Sequence, residues 1–512
     1  MSTGRPRANY SGNDRSAIQG AFDKTTFRIS SSGAALSTPS VFTGNVNAFE
    51  SFTTLADTLI VDADAFLISA NTFGIGAFLE HQGAWTVTVN GNLFGFDGLF
   101  LEGGNLVTSA ITVGAEGSIG GTNEVITAAS SATIKNSGLI FGVHNGIDVL
   151  NGATHSIMNA GVIQGDIEHA IRDQSAASND TITNTGTIIG NVDLHNGNDS
   201  LTNSGILNGF VDLGEGTNTL TNSGDITGVD AHGISVLGRI GADTVSNTKF
   251  IAGAILIGDV NGVDTFANTL TNSGTIGKNV FDLSFGGGLG IDKVTNTGTM
   301  LGLLAMGNGA NTLINSGRIG ATTSDNLSYL GGIDADTVTN TGNLKGGINL
   351  NAGTNVLNNS GHIGIETLNH TSYQGDVGSD TVTNSGVMDA GVFLGAGVNG
   401  LTNSGSIGSD GTNSVISGAN VDTLVNSGTI SGGVSLGDGN DVFTNFMTTT
   451  DATGVTIITS GKVGGIIDLG TGNDTFNGGA NAETVKDGDG ADVINLRGGN
   501  DIYIATGNTG IG

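Results

Sequence analysis

The chain of 512 residues has no cysteine, which excludes a disulfide framework, a thiolate metal site and a cysteine nucleophile. Proline is confined to Pro6 and Pro39, so residues 1–50 read as a polar lead-in. Cations are scarce: Lys and Arg number 16 against 46 Asp and Glu, a formal charge of −30. Such a chain is a poor binder of nucleic acid or anionic lipid. Aromatic residues are only 5% of the total, thin for a conventional globular core. No apolar run approaches the ~18 residues of a membrane helix, so membrane insertion is not expected. No basic segment followed by an apolar one opens the chain, so a cleaved secretory leader is not expected either.

Glycine fills the gap, with 89 residues. Its period is wrong for collagen. With 37% apolar and 12% charged residues, the composition is also wrong for a disordered chain. An ordered, repetitive β structure remains.

One heptapeptide recurs: IKNSGLI at 134–140, ITNTGTI at 182–188, LTNSGDI at 220–226, LTNSGTI at 270–276 and LTNSGSI at 401–407. Its Asn falls at positions 136, 159, 184, 203, 222, 247, 272, 296, 315, 340, 359, 384, 403 and 426. Gaps of 19 to 25 residues mark a solenoid. Within VDLGEGTNTLTNSGDI (211–226), VDL and TLTN alternate apolar and polar residues like half-buried strands, and GEGTN and SG supply turns. Such short strands bury a core only by stacking coil on coil. A side-chain amide both donates and accepts, so an Asn column can hydrogen-bond along the stack. The predicted fold is all-β: a right-handed parallel β-helix of 19–25-residue coils over 134–430, preceded by irregular capping coils over 51–133 around Trp85. Residues 164–181 and 446–462 read as irregular insertions.

A Gly turn ending in Asp or Asn precedes each heptapeptide, as in GDVGSDTV (375–382), LGDGNDVF (436–443) and LGTGNDTF (469–476). Near the end, Asp474, Glu483, Asp492 and Asp501 are spaced nine apart, with Phe476, Val485, Ile494 and Tyr503 each two residues later. This pattern resembles the RTX (hemolysin-type) calcium-binding nonapeptide. The resemblance implies a C-terminal parallel β-roll over 431–512 and Ca²⁺ held by Asp carboxylates and turn carbonyls. It also implies type I export and a place at the cell surface. The candidate metal residues are Asp438, Asp441, Asp474, Asp489, Asp492 and Asp501, with Gly437, Gly439, Gly472 and Gly490 permitting the turns. Oxygen-only donors suit a hard cation. In the central coils the acidic position alternates, with Asn at 218, 311, 355 and 399 and Asp at 243, 292, 336, 380 and 422. There the residues read as good turn formers rather than as ligands.

Other chemistry is sparse. GAGVNG (395–400) matches a dinucleotide fingerprint but leads into LTNSGSI, not a helix. No H-E-x-x-H occurs, and the eight His residues, including His144, His155 and His169, match no zinc spacing and read as turn or surface residues. Asp166, Glu168, Arg172 and Asp173 form one charged cluster, read as a loop. Thr recurs in the heptapeptide (Thr183, Thr202, Thr221, Thr271, Thr295, Thr339, Thr383, Thr402). Ice binding needs two parallel, coplanar Thr rows, and the second row is incomplete, so it is not expected. The expected function is a secreted, non-enzymatic, Ca²⁺-stabilised structural or adhesive solenoid. Its partners would be calcium ions and a second copy or a cell-surface polysaccharide. The alternative is a carbohydrate-active β-helix enzyme, either a lyase or a hydrolase.

Overall fold

A computed structural model describes residues 26–29, 42–43, 56–63, 65–68, 76–80, 83–102, 107–150, 154–175, 177–258, 264–278, 283–320, 327–364, 371–408 and 413–506. Every described element is a strand. The strands assemble into a 21-stranded sheet, a 37-stranded sheet and one separate two-stranded hairpin. Pairing within both large sheets is parallel, so the molecule is a β-solenoid, as the repeat predicts.

One coil shows the construction. Thr219–Asn222 lies in the 21-stranded sheet, while Asp225–Ile226 and Ile234–Gly238 lie in the 37-stranded sheet. The next coil repeats this in register, pairing Thr219 with Thr244, Leu220 with Val245 and Asn222 with Asn247. Register is fixed because a one-residue slip would turn the buried Leu220 outward. Along the stack, Ile182, Leu201, Leu220, Val245 and Leu270 form one apolar column facing another of Ile188, Leu207, Ile226, Ile251 and Ile276. Each buried side chain contributes about 1.5–3 kcal/mol, the term that stabilises strands too short to stand alone.

The Asn column forms a continuous ladder. From Asn136 to Asn445, each Nδ2 donates to Oδ1 of the Asn one coil on, at 2.7–2.8 Å. The ladder thus runs one coil beyond Asn426 and ends on a carboxylate, where Asn445 Nδ2 donates to Glu483 Oε1 at 3.0 Å. The Ser-Gly turn is held by the same residues, with the N–H groups of Ser223 and Gly224 both donating to the Asn203 carbonyl.

Coils alternate in core design. In the coils of Phe285, Tyr329 and Tyr373 a large ring is followed two residues later by Gly287, Gly331 or Gly375. In the intervening coils the same positions hold Leu304 and Met306, Ile348 and Leu350, or Val392 and Leu394. A ring beside a glycine and two aliphatic side chains are thus alternative ways of filling the same layer of a close-packed interior. The longer coils also carry a register shift at Ile234/Val236, Leu283/Phe285, Thr371/Tyr373 and Asn413/Val415. At these bulges buried Ser235, Ser284, Ser372 and Ser414 present Oγ to a backbone N–H of the following coil.

Two expected insertions are ordered. Residues 162–173 form one long strand, Val162–Asp173, rather than a loop, because its first half pairs with Leu139–Gly142 and its second half with Asn145–Val149 on one side, and both halves pair with Thr187–Asp193 on the other. Phe446–Thr450 and Thr456–Ser460 form an antiparallel hairpin whose strands are largely exposed. Past the hairpin the coil shortens. Among the described residues the row of two-residue strands ends at Lys462–Val463, and the Asp474-to-Asp492 step spans 18 residues with one strand in each sheet. Towards the other end, Ala84–Val89 (with Trp85 buried) and Ser109–Val113 continue the same sheet in register. Most of residues 1–50 lies outside the described residues, although Thr26–Ile29 pairs with the strand at Ala56–Val61.

Candidate metal centre

The Gly turns stack at the edge where the 37-stranded sheet passes into the 21-stranded sheet. Their acidic positions form a second ladder, parallel to the Asn ladder. The backbone N–H of each residue donates to Oδ1 of the acidic-position residue one coil on. The series runs from His155 through Asp180, Asp199, Asn218, Asp243, Asn268, Asp292, Asn311, Asp336, Asn355, Asp380, Asn399, Asp422, Asp441 and Asp474 to Asp492, at 2.6–3.0 Å. The buried side chain therefore supplies the acceptor that a turn backbone lacks. His155 heads this column and is buried, which corrects its reading as a turn or surface residue. Asp180, Asp199 and Asn268 belong to the column although the heptapeptide pattern alone did not single them out.

One carboxylate oxygen caps the backbone, and the fate of the other depends on the coil. Asp380 Oδ2 accepts the Tyr373 hydroxyl at 2.7 Å. Asp292 Oδ2, beside Phe285, which has no hydroxyl, accepts the Gly288 N–H at 3.2 Å. On Asp199, Asp243, Asp422, Asp441 and Asp474, Oδ2 is buried without a hydrogen-bond partner. Burial drives these carboxyls up: Asp199 and Asp243 to about 7, and Asp292 and Asp336 to about 6. Asp180 rises to about 8 through burial and the neighbouring charge of Asp173.

The predicted metal residues divide among three places. Asp441, Asp474 and Asp492 continue the acidic column, and Asp441 and Asp474 are buried. Asp438 and Asp489 occupy the exposed turn tip, joined through Thr471, whose hydroxyl donates to Asp438 Oδ1 at 2.7 Å. Asp501 lies on the opposite edge, accepting the Glu483 N–H at 3.0 Å. The nonapeptide spacing places consecutive acids on alternate edges because each nine-residue step crosses the solenoid once. Gly437, Gly439, Gly472 and Gly490 all have positive φ, at 90°, 156°, 137° and 148°. At Gly472 an added Cβ would run into the Gly439 carbonyl oxygen of the preceding coil, so the tight stack requires glycine twice over.

From Asp199 to Asp422 acids alternate with Asn, whereas beyond Asp422, as between Asp180 and Asp199, no Asn separates them. Asp422, Asp441, Asp474 and Asp492 follow on successive coils. Burial, then the charges of Asp422, Asp474 and Asp438, push the Asp441 carboxyl up to about 7. A cation fits this donor chemistry: oxygen ligands, with orphaned buried oxygens on Asp422, Asp441 and Asp474. Among the described residues, no three His, Cys, Asp or Glu side chains form a metal cage by themselves. An ion here would have to draw further ligands from turn carbonyls or water.

The charged cluster near residue 170 also divides. Arg172 grips buried Asp148 through Nε and Nη2 at 2.9 and 3.1 Å and reaches Glu168 at 3.4 Å. Glu124, 3.9 Å from Arg172, is pushed to about 7 by burial and by Asp148. Asp173 points elsewhere, accepting the Ser175 N–H and the Ser178 hydroxyl, and Asp166 takes the Gln164 amide.

The chain matches no protein-family model, and comparison with curated proteins and with solved structures finds no similar chain. Among the described residues no helix is long and apolar enough to cross a membrane.

Proposed function

We propose that this β-solenoid is a secreted, non-enzymatic structural or adhesive rod of RTX type, whose C-terminal coils are stabilised by Ca²⁺. One observation supports this above all: the unspaced run of Asp422, Asp441, Asp474 and Asp492, three of which keep a buried, unpartnered oxygen. Successive coils lie about 4.8 Å apart. At that distance like charges repel by roughly 1 kcal/mol in water and several-fold more at the lower dielectric of a protein edge. The coils from Asp199 to Asp422 avoid the repulsion by interposing Asn. The C-terminal coils do not, so they need protons or a divalent ion.

Asp441, Asp474 and Asp492 would hold the ion together with carbonyls of the turns at Gly437, Gly439, Gly472 and Gly490. Asp438 and Asp489 at the turn tip, and Asp501 with Glu483 on the opposite edge, would add negative potential. Bound Ca²⁺ would supply charge neutralisation, and the stacked glycines would bring the carbonyls within reach.

Calorimetric titration of the full chain with Ca²⁺ tests this reading. Saturable binding, accompanied by a rise in thermal stability and reduced by Asp474→Asn, is the expected result. Absence of both heat and stabilisation at millimolar Ca²⁺ would remove the basis for the proposal. The enzyme alternative has one physical foothold, the Arg172 cluster with its proton-retaining Glu124. Depolymerisation of acidic polysaccharides, lost in Glu124→Gln, would favour it.

A further inference from the structure

The outward face of the 21-stranded sheet carries a second regularity. Its strands follow the pattern x-apolar-x-Asn, in which both x side chains point away from the core. Over five successive strands, every outward position is Thr or Ser. These strands are Thr181–Asn184, Ser200–Asn203, Thr219–Asn222, Thr244–Asn247 and Thr269–Asn272. They pair without a register shift, which aligns one column of Thr181, Ser200, Thr219, Thr244 and Thr269 with a second of Thr183, Thr202, Thr221, Ser246 and Thr271. Over the whole chain both columns are broken, the first by Lys293, Val356, Gly400 and Val442 and the second by Ile314 and Asn358. Within these five coils both are complete once Ser200 and Ser246 are counted with Thr, so the row that is incomplete over the chain is locally continuous in hydroxyls.

The array is pre-organised and neutral. All ten side chains are exposed or partly exposed. None of their hydroxyls hydrogen-bonds to the protein among the described residues. Beneath them, Ile182, Leu201, Leu220, Val245 and Leu270 are buried, and alongside them the Asn ladder holds successive coils at uniform 2.7–2.8 Å bonds. In a chain of net charge −30 these ten positions carry no charge. Hydroxyls repeat every ~4.8 Å across strands and ~6.5–7 Å along each strand, with a methyl group beside nearly every one.

We propose that this face binds ice. A rigid, two-dimensional hydroxyl lattice is matched by a ligand that itself repeats in two dimensions, and both spacings lie in the range over which oxygen positions repeat on a face of ice. Hydroxyls anchor water through hydrogen bonds, methyl groups order the water between them, and rigidity removes the entropy cost of fixing the side chains on binding. Neutrality fits an uncharged partner. A sugar chain, in contrast, would stack its C–H faces on aromatic rings, and the array has none. The inference is independent of the C-terminal acids, since the array ends before them.

Thermal hysteresis and inhibition of ice recrystallisation by the full chain in Ca²⁺-containing buffer test the proposal. The folded wild type should show both, with faceted crystals. Thr221→Lys, at the centre of the array, should lose both while keeping the wild-type β circular-dichroism spectrum. Thr339→Lys, on the same sheet where Ile314 and Asn358 interrupt the second column, should keep both. A folded wild type without either activity would overturn the proposal, as would a Thr221→Lys protein as active as wild type. Binding to microcrystalline cellulose that Thr221→Lys abolishes, in the absence of ice activity, would overturn it in favour of a polysaccharide surface.

Discussion

Asn247 shows how much one side chain carries in this fold. It is fully buried, accepts from Asn222 and donates to Asn272, each at 2.8 Å. In Asn247→Ala the Asn272 oxygen loses its donor and Asn222 loses one acceptor, while the backbone ladder survives. The expected cost is about 1–3 kcal/mol, the penalty of buried polar groups left unpaired, read from urea unfolding followed by circular dichroism. Tyr373 carries a smaller share. Tyr373→Phe removes the hydroxyl from Asp380 Oδ2. The Phe285 coil already shows the alternative, a backbone N–H turned to the carboxylate. Tyr373→Phe should therefore fold normally and lose about 1 kcal/mol in the same assay. The Asn column was readable in the chain because its spacing repeats. The Tyr–Asp contact was not, because two residues seven apart meet only once the turn between them has its actual shape.

At the scale of one coil, three positions act together. In the Tyr329 coil, Gly331 leaves room for the Asp336 carboxylate, and a Cβ on Gly331 would collide with Oδ2. The next coil uses Ile348, Leu350 and Asn355 at the same positions. Gly331→Leu alone should destabilise by more than about 2 kcal/mol through overpacking against a carboxylate that cannot move away. Adding Tyr329→Ile and Asp336→Asn converts the coil to the neighbouring design and should recover most of the loss, a non-additivity visible in a thermal-melt series. The acidic column also sets a pH dependence. Asp243, Asp292 and Asp336 hold their protons to about 6–7 when folded, because burial penalises their charge. In the unfolded chain they release them near 3.9. Between those values the folded state binds more protons, so this contribution is fully present below about pH 4 and is lost as pH rises through 6 to 7. Ca²⁺-free protein should melt at lower temperature at pH 8 than at pH 5. The opposite slope would show these carboxyls to be ionised and otherwise compensated.

For the whole molecule, stability is close to a sum over coils and their interfaces, with little cooperativity between distant coils. The hairpin at Phe446–Thr450 and Thr456–Ser460 lies outside that sum. Its strands pair with each other, and the stack continues past it by pairing Phe443 with Phe476. Replacing residues 446–459 with a short Gly-Asn turn should leave the β spectrum unchanged. The cost should be about 0.5–1 kcal/mol, from the Arg497 guanidinium that sits 3.9 Å over the Phe446 ring. A large loss of stability in that variant would show that the hairpin anchors the shortened C-terminal coils.

By itself the sequence determined the fold class, the coil repeat and the Asn column, because alternation, turn glycines and a recurring buried amide are local or periodic signals. It also marked Asp441, Asp474 and Asp492, whose spacing follows the strand crossings. Tertiary structure decided what lies between coils. It separated Asp501 from Asp492 onto opposite edges, ended the Asn ladder on Glu483, buried His155 at the head of the acidic column and ordered 162–173 as a strand. It also aligned the Thr and Ser side chains into two complete columns. These features depend on register between residues 18 to 38 apart in the chain, which is set by how every coil packs on the next.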